Sequence, residues 1–141
     1  MISNFAKILE KIIKSRLIQF LEKNNILSKN QFGFRPKLGT ENALYNALDN
    51  SKKATGIFLD LAKAFDTVDH AELIKLLPNF DIKNSSLKWF KCYLDKRKQK
   101  VKINGILGDE MLITCGVPQG SVLGPTLFIL YINGISDFDI N

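Results

Sequence analysis

The segment 125–133 constrains the fold more than any other part of the chain, because it is apolar on nearly every side. Pro125 suits the first turn of a helix and Gly134 suits the position just after its end, so the segment predicts a helix. A helix without a polar face has to be covered by other elements. The longest apolar run, 127–132, has six residues, far fewer than the ~18 of a membrane span. The sequence therefore predicts a buried helix inside a globular domain.

Periodicity predicts four further helices. Apolar residues recur at steps of three and four between Phe5 and Leu21, with lysines between them, which is typical of an amphipathic helix. Asp69 and Glu72 form the capping-box pattern, and Pro78 is expected to end the short helix that follows. The predicted helices are 5 to about 23–25, 40–52 with Thr40 as N-cap, 71–77, and a fourth that is capped by Asn84 or Ser85 and includes Leu94.

Three segments are typical of strands. Residues 55–60 form an apolar run ending in Asp60, which predicts a buried strand. Residues 99–103 alternate apolar residues and lysines, which predicts a half-buried strand with its lysines facing solvent. Asn104 and Gly105 form a two-residue hairpin turn, and a return strand is expected within 110–114. The sequence thus predicts an α+β fold with helices packed on a small antiparallel sheet.

The charged residues divide the chain into blocks. The 141 residues suffice for one domain, and their net charge of +6 is concentrated at two places. Residues 1–37 carry eight basic and two acidic side chains, residues 83–102 carry eight basic and one acidic, and the block between them is acidic. A polyanion-binding surface beside a carboxylate site has this pattern, and so does an unevenly charged solvated surface. Charge alone leaves both interpretations open.

Several classes of protein are disfavoured. The first 25 residues alternate apolar and charged positions, which excludes a secretory signal, and Glu10 and Glu22 disfavour an organelle presequence. An intracellular protein of the cytoplasm or nucleus is expected. Cys92 and Cys115 are then predicted to be reduced thiols, and the single His70 cannot build a zinc site.

Asp60 is the first candidate for chemistry, because a carboxylate at the end of a strand is held by a rigid element. The alternative is that Asp60 is the N-cap of a helix over residues 61–65. Hard cations such as magnesium use one or two carboxylates together with substrate phosphates. Asp66 and Asp69, which follow closely, are interpreted as a surface charge and a helix cap.

The glycine-rich loop 116–121 and the basic run 96–100 are the other candidates. Gly116 and Gly120 allow a positive φ or a close approach of the backbone to a ligand, and Gln119 would present an amide between them. The loop precedes a helix N-terminus, which favours phosphate. The alternative is a tight loop with Ser121 or Gly124 as cap. The basic run follows an aromatic-rich helix, which suits nucleic acid, or it is an ordinary solvated face.

Four segments together resemble the reverse transcriptase domain of non-LTR (LINE-type) retrotransposons, in order and at the family's spacing. The resemblance implies a right-hand polymerase fold of which residues 1–141 would form a part, with about 1–53 as fingers-side helices and loop and 54–141 as partial palm. It also implies an RNA template, a DNA primer and deoxynucleoside triphosphates as partners, with two magnesium ions as cofactor, no other small-molecule cofactor and no membrane. The matching segments are Lys7-Ile-Leu-Glu-Lys-Ile-Ile13, Gln31-Phe-Gly-Phe-Arg-Pro36 with 39–44, Phe58-Leu-Asp-Leu-Ala-Lys-Ala-Phe-Asp66, and Gly116-Val-Pro-Gln-Gly-Ser-Val-Leu-Gly-Pro125 with 127–128 and 131–133.

The resemblance also implies roles for single residues. Asp60 would be catalytic and bind both magnesium ions, and the backbone carbonyl of Leu61 would be a further ligand. Phe65 would occupy the steric-gate position, where an aromatic ring excludes a ribose 2′-hydroxyl. Gln119 and Gly120 would lie against the incoming nucleotide and the template base pair. The residues implied in nucleic-acid contact are Arg35 and the basic-run members Lys96, Arg97, Lys98 and Lys100.

One family motif, a hairpin with paired aspartates, has no match in this chain. Asp137 and Asp139 are separated by Phe138, and the thumb is also missing. Two-metal phosphoryl transfer needs carboxylates from two elements. The resemblance is thus to an RNA-directed DNA polymerase. Because the paired aspartates have no match, we expect this chain to be inactive alone. The alternatives are a catalytically dead nucleic-acid-binding remnant and a non-functional partial gene product.

Overall fold

The computed structural model describes residues 4–49, 58, 60–95, 97–118 and 120–137. The helices are α1 (Asn4–Lys23), α2 (Thr40–Asp49), α3 (His70–Leu76), α4 (Asn84–Leu94) and α5 (Gly124–Tyr131), with 3₁₀ turns at Leu77–Phe80 and Asn133–Asp137. The strands are β1 (Lys98–Gln99), β2 (Lys102–Ile103), β3 (Ile106–Leu107) and β4 (Met111–Leu112). Strand β1 pairs antiparallel with β4, and β2 with β3. The predicted α+β class is confirmed.

Helix α5 lies at the centre of the core, as its composition requires. Leu127, Ile129 and Leu130 are fully buried, and the cluster around them includes Leu21 of α1 and Leu73 of α3. Because α5 has no polar side to present to solvent, burial on all sides removes the most apolar area from water. The core residues are Leu17, Leu21, Leu27, Val68, Leu73, Leu77, Ile82, Phe90, Leu94, Val117, Leu123, Leu127, Ile129 and Leu130. None of the helices among the described residues is both long and apolar enough to cross a membrane.

Helix α5 ends at Tyr131, two residues before the predicted end, and the chain tightens into a 3₁₀ turn that contains Gly134. Asn133 accounts for the early end. Its side chain accepts a hydrogen bond from the Ser28 N–H (3.0 Å) and donates one to the Ile26 carbonyl (3.0 Å). These bonds hold the end of α5 against the loop that follows α1.

The cap of α3 is confirmed and that of α4 is not. The Asp69 carboxylate accepts from the Glu72 N–H at 2.9 Å, as the capping box predicts. Helix α4 begins after Lys83, whose side chain makes no capping hydrogen bond, so the prediction of Asn84 or Ser85 as cap is wrong. Asn84 is already the first helical residue, with a φ of 52° that asparagine tolerates better than most residues.

The hairpin turn is confirmed, but the half-buried strand is not. Asn104 and Gly105 both have positive φ and join β2 to β3. Val101 and Ile103 are 57% and 66% exposed, since the two-residue strands pair with each other and no described element covers their apolar side. The predicted strand 55–60 lies mostly outside the described residues, and at Phe58, which is 97% exposed, burial is not observed.

Candidate functional site

The two segments that carry most of the candidate residues are hydrogen-bonded to each other. The Gly116 N–H donates to the Val68 carbonyl at 2.7 Å, and the Val117 N–H donates to the Phe65 carbonyl at 2.8 Å. The His70 N–H donates to the Thr114 carbonyl at 3.3 Å. The segment after Asp60 and the glycine-rich loop thus run side by side, although almost 50 residues separate them in sequence.

His70 strengthens this pairing through its ring. Its Nε2 lies 2.7 Å from the Gly116 carbonyl oxygen, which can only accept, so the ring nitrogen donates. The part-buried ring thus binds the same glycine whose N–H is held by Val68. This bond gives the single histidine a structural role.

Gly116 is the point of closest approach between the two segments. Its φ is +89°, and a Cβ placed there would lie 3.1 Å from the Asp66 Cα and 3.1 Å from the Asp66 carbonyl oxygen. A side chain would therefore push the loop away from the segment that follows Asp60. The pairing of the two segments therefore depends on a glycine at this position, chiefly because of the close contact with Asp66 and less because of the positive φ.

The Phe65 ring lies between two other aromatic rings. It meets Phe34 edge-on at a centroid distance of 5.7 Å, and Phe128 of α5 at 4.7 Å with the rings tilted by 42°. Edge-on and tilted aromatic pairs are favourable arrangements. The ring is half-buried and held from the 26–38 loop on one side and from the core helix on the other.

Asp60 and Leu61 are exposed. The chain after them forms a turn rather than a helix, in which the Asp66 N–H donates to the Lys63 carbonyl at 2.8 Å, so the interpretation of Asp60 as a helix N-cap is wrong. Among the described residues no three His, Cys, Asp or Glu side chains are grouped so as to hold a metal ion. A magnesium ion bound by one carboxylate and one carbonyl would take its remaining oxygen ligands from water, substrate phosphates or further carboxylates.

The end of the glycine-rich loop is a compact turn. The Ser121 N–H donates to the Pro118 carbonyl at 3.0 Å, and the Ser121 Oγ accepts from the Gly124 N–H at 2.9 Å, where α5 begins. The N-cap position of α5 is Leu123, without a capping side chain, so the prediction of Ser121 or Gly124 as cap is wrong, although Ser121 holds the first N–H of the helix. Gly120 is exposed with a φ of +76° and open space around its Cα, and Gln119 lies outside the described residues.

Glu10 is a residue at this site that sequence reasoning missed. It is 3% exposed, and its Oε2 accepts from the Val122 N–H at 2.7 Å. Its Oε1 accepts from the Tyr93 hydroxyl at 2.8 Å. Burial, followed by the hydrogen bond to Glu10, raises the pKa of Tyr93 to about 12. A signal was present, since Glu10 stands seven and eleven residues before the buried Leu17 and Leu21 and so faces the core.

Arg35 is held by contacts within the protein. Its Nε and Nη2 donate to the two carboxylate oxygens of Glu22 at 2.9 and 2.6 Å, and its Nη1 donates to the carbonyls of Ser28 and Gln31. The hydrogen bond from Arg35 lowers the pKa of Glu22 despite the opposing effect of burial. These bonds fix the loop after α1, and contact between Arg35 and nucleic acid stays a prediction.

The basic run begins on an aromatic stack. The Trp89 and Tyr93 rings of α4 are stacked at 5.1 Å, and the Arg97 guanidinium lies 5.3 Å from the centre of the Tyr93 ring. Lys98 and Lys100 are exposed, and the Lys98 Nζ is 3.7 Å from the Glu110 carboxylate. Lys96 lies outside the described residues. The structure thus brings aromatic and basic side chains together along one side of α4 and β1.

Comparison with known proteins defines the class to which this architecture belongs. Residues 1–138 match the family model described as reverse transcriptase (RNA-dependent DNA polymerase). The chain therefore belongs to the reverse transcriptase family, as its motifs predict.

The similar proteins come mainly from mobile elements. The chain is 31% identical to the probable RNA-directed DNA polymerase from transposon X-element of Drosophila melanogaster, over all of this chain and 16% of that protein. It is 34% identical to the RNA-directed DNA polymerase from mobile element jockey of the same species, over 93% of this chain and 15% of the relative. A putative COX1/OXI3 intron 2 protein of Saccharomyces cerevisiae is 33% identical over 92% of this chain and 15% of its own length. The chain thus spans about a sixth of the length of the curated relatives it matches, and the predicted retrotransposon group agrees with the mobile-element relatives.

Proposed function

We propose that this chain is the part of a non-LTR retrotransposon RNA-directed DNA polymerase that binds the incoming nucleotide, with residues 1–53 on the fingers side and 54–141 in the palm. The observation that carries the proposal is the backbone pairing of residues 65–70 with 114–117. It brings the segment of the candidate catalytic Asp60 alongside the glycine-rich loop of Gly120. These are the two family motifs expected on either side of the nucleotide, so their adjacency is what the function requires.

Phe65 is proposed as the steric gate. A gate has to keep its ring in one place, since it acts by occupying the space of a ribose 2′-hydroxyl. The contacts of Phe65 with Phe34 and Phe128 support this role, because they restrict the ring from both sides. Gly120 and Gln119 are proposed to lie against the nucleotide, and the open space around Gly120 would admit it.

Asp60 and the Leu61 carbonyl are proposed as ligands of magnesium, on the strength of the motif and of their exposure. They are too few to bind an ion alone. Without the paired aspartates, we expect this chain to bind magnesium poorly and to catalyse no polymerisation by itself. The proposed partners in the whole polymerase are an RNA template, a DNA primer and deoxynucleoside triphosphates.

The primer-extension test uses the purified chain with magnesium, a primed RNA template and the four triphosphates. No template-dependent product is expected, either from this chain or from its Asp60→Ala variant. Product above the level of the variant would contradict the expected inactivity and would establish Asp60 as catalytic.

Binding without catalysis is the second candidate function, and the stack of Trp89, Tyr93 and Arg97 beside exposed lysines favours it. Its test is fluorescence anisotropy with a labelled RNA–DNA hybrid at several salt concentrations. Lys98→Gln with Lys100→Gln should reduce the slope of log affinity against log salt by ~0.7–0.9 for each phosphate that the variant no longer neutralises. The matched control is Lys75→Gln, an exposed lysine of α3 outside the basic run and the nucleotide site. Equal slopes for both variants would exclude the basic run as the binding surface.

A further inference from the structure

The buried carboxylate of Glu10 is hydrogen-bonded to the residue that follows the glycine-rich loop. Glu10 accepts hydrogen bonds from two donors that lie on different elements, the Val122 N–H after the loop and the Tyr93 hydroxyl of α4. Both donors are neutral, and no ion pair of the described residues includes Glu10. A buried charge is costly unless its hydrogen bonds are satisfied, and each carboxylate oxygen of Glu10 has one such bond.

The geometry requires an acceptor oxygen opposite the Val122 N–H. Glu10→Gln can keep that oxygen, because the amide oxygen accepts from Val122 while the NH₂ group donates to the Tyr93 hydroxyl, which accepts as well as donates. Glu10→Met, a side chain of similar length, removes the acceptor altogether. Because a buried N–H without an acceptor costs ~1–3 kcal/mol, the loss in Glu10→Met falls directly on the loop.

The hydrogen bond between Glu10 and Val122 lies close to the part of the loop that is proposed to face the nucleotide. Val122 is two residues after Gly120, and the intervening Ser121 is buried, with its Oγ accepting from the Gly124 N–H. The hydrogen bonds of Glu10 to Tyr93 and Val122 form a network that, together with the Ser121–Gly124 bond, holds the backbone immediately after Gly120.

We infer that Glu10 is a positioning residue for the nucleotide-binding loop, acting through the Val122 N–H and the Tyr93 hydroxyl. The inference rests on the proposed function, since the loop binds nucleotide only in that proposal. Tyr93 also stacks on Trp89 and lies beneath Arg97. The same network thus joins the loop to the aromatic and basic surface proposed to bind nucleic acid, so that template-binding and nucleotide-binding residues share one support.

The test is amide hydrogen exchange of the whole 141-residue chain, followed by NMR. In Glu10→Met the Val122 amide should exchange at least tenfold faster relative to the Leu73 amide, which reports the core because Leu73 is fully buried in α3. In Glu10→Gln and in Tyr93→Phe the Val122 amide should keep its protection, because an acceptor oxygen of residue 10 still faces it. Glu41→Met, at an exposed glutamate of α2, is the matched control and should change neither amide.

The alternative outcomes overturn the inference. If Glu10→Met accelerates Val122 and Leu73 by the same factor, Glu10 contributes only to overall stability. If neither amide changes, the side chain of Glu10 does not hold the loop. Should the Glu10→Met chain not fold, the unaltered chain decides through the scalar coupling across the hydrogen bond between the Val122 nitrogen and the Glu10 Cδ, whose absence overturns the inference.

The outcome of the hydrogen-exchange measurement is independent of the outcome of the hybrid-binding measurement. Hydrogen exchange reports the loop whether or not the chain binds nucleic acid. Selective exposure of Val122 in a chain whose wild-type form binds no RNA–DNA hybrid would leave Glu10 as the support of the loop and overturn the nucleic-acid function. Hybrid binding without selective exposure of Val122 would overturn only the role of Glu10.

Discussion

Replacing Gly116 by alanine is expected to separate the two segments that form the candidate site. The residue has a φ of +89°, and a methyl group there would approach the Asp66 Cα and carbonyl oxygen to 3.1 Å. The contact is with backbone, which cannot rotate away as the end of a flexible side chain can. Either the loop or the segment after Asp60 has to move by a few tenths of an ångström, and that movement strains the Gly116–Val68 hydrogen bond.

The size of the effect follows from three contributions. An alanine in the left-handed region costs ~1–2 kcal/mol, and inserting a methyl group into a packed contact costs ~1–3 kcal/mol. The lower entropy of the unfolded chain offsets ~0.4–1 kcal/mol of this. Gly116→Ala should therefore destabilise the fold by ~1–5 kcal/mol, whose upper end is a large part of the ~5–15 kcal/mol typical of a domain.

Two other glycines allow the contributions to be separated. Gly120 has a φ of +76° but, apart from its chain neighbours, no atom of the described residues lies within 4 Å of the position that a methyl group would take. Gly134 has no positive φ and likewise no such neighbour among the described residues. Gly120→Ala should thus lose only ~0.5–1 kcal/mol for its conformation. Gly134→Ala should be neutral or slightly stabilising.

Urea unfolding monitored by fluorescence of Trp89, the single tryptophan, measures all three variants, because that ring packs against the core. The expected order of stability is Gly134→Ala, wild type, Gly120→Ala and then Gly116→Ala, with unchanged m-values. Equal losses for Gly116→Ala and Gly120→Ala would refute the argument from close approach. A neutral Gly120→Ala would refute the argument from φ.

Three other changes have expected outcomes. Arg35 lowers the pKa of Glu22 below 4.5, so the pair stabilises the fold above that pH and loses this contribution as the pH falls through the lowered pKa. Arg35→Met should therefore lower stability near neutral pH and show a smaller further loss on acidification, in urea titrations at both pH values. A larger acid loss in the variant would contradict this sign. Thr126 Oγ1 is buried without a partner among the described residues. Thr126→Val should therefore keep the melting temperature or raise it by the equivalent of ~1 kcal/mol of stability, as measured by scanning calorimetry. Thr114→Val, at an exposed threonine, is the control and should not raise the melting temperature. Leu130→Ala removes a fully buried side chain of α5 and should lower the urea midpoint by the equivalent of ~2–5 kcal/mol. A loss below ~1 kcal/mol would argue against the central position of α5.

The regular elements of this fold were predictable because they depend on nearby residues. Helix α1 follows from apolar spacing, the start of α3 from the Asp69–Glu72 capping box, and the β2–β3 turn from Asn104–Gly105. In each case the partners stand within a few positions of each other, so the sequence contains the whole interaction. The strand predicted over 99–103 was wrong in its burial, because alternation specifies two faces but not whether another element covers one of them.

The family, the one helix that had to be buried, and the motifs that carry Asp60, Phe65 and Gly120 could all be inferred from the order of the residues. Which groups meet depends on how the whole chain packs. Glu10 accepts hydrogen bonds from residues 83 and 112 positions away. Gly116 lies against Asp66, which is far from it in the sequence, and no local pattern predicts that contact. Arg35, for which the resemblance implies nucleic-acid contact, pairs with Glu22 from another part of the chain. Long-range contacts of this kind depend on how all the elements pack together, and that packing minimises exposed apolar area over the whole chain rather than over any single segment.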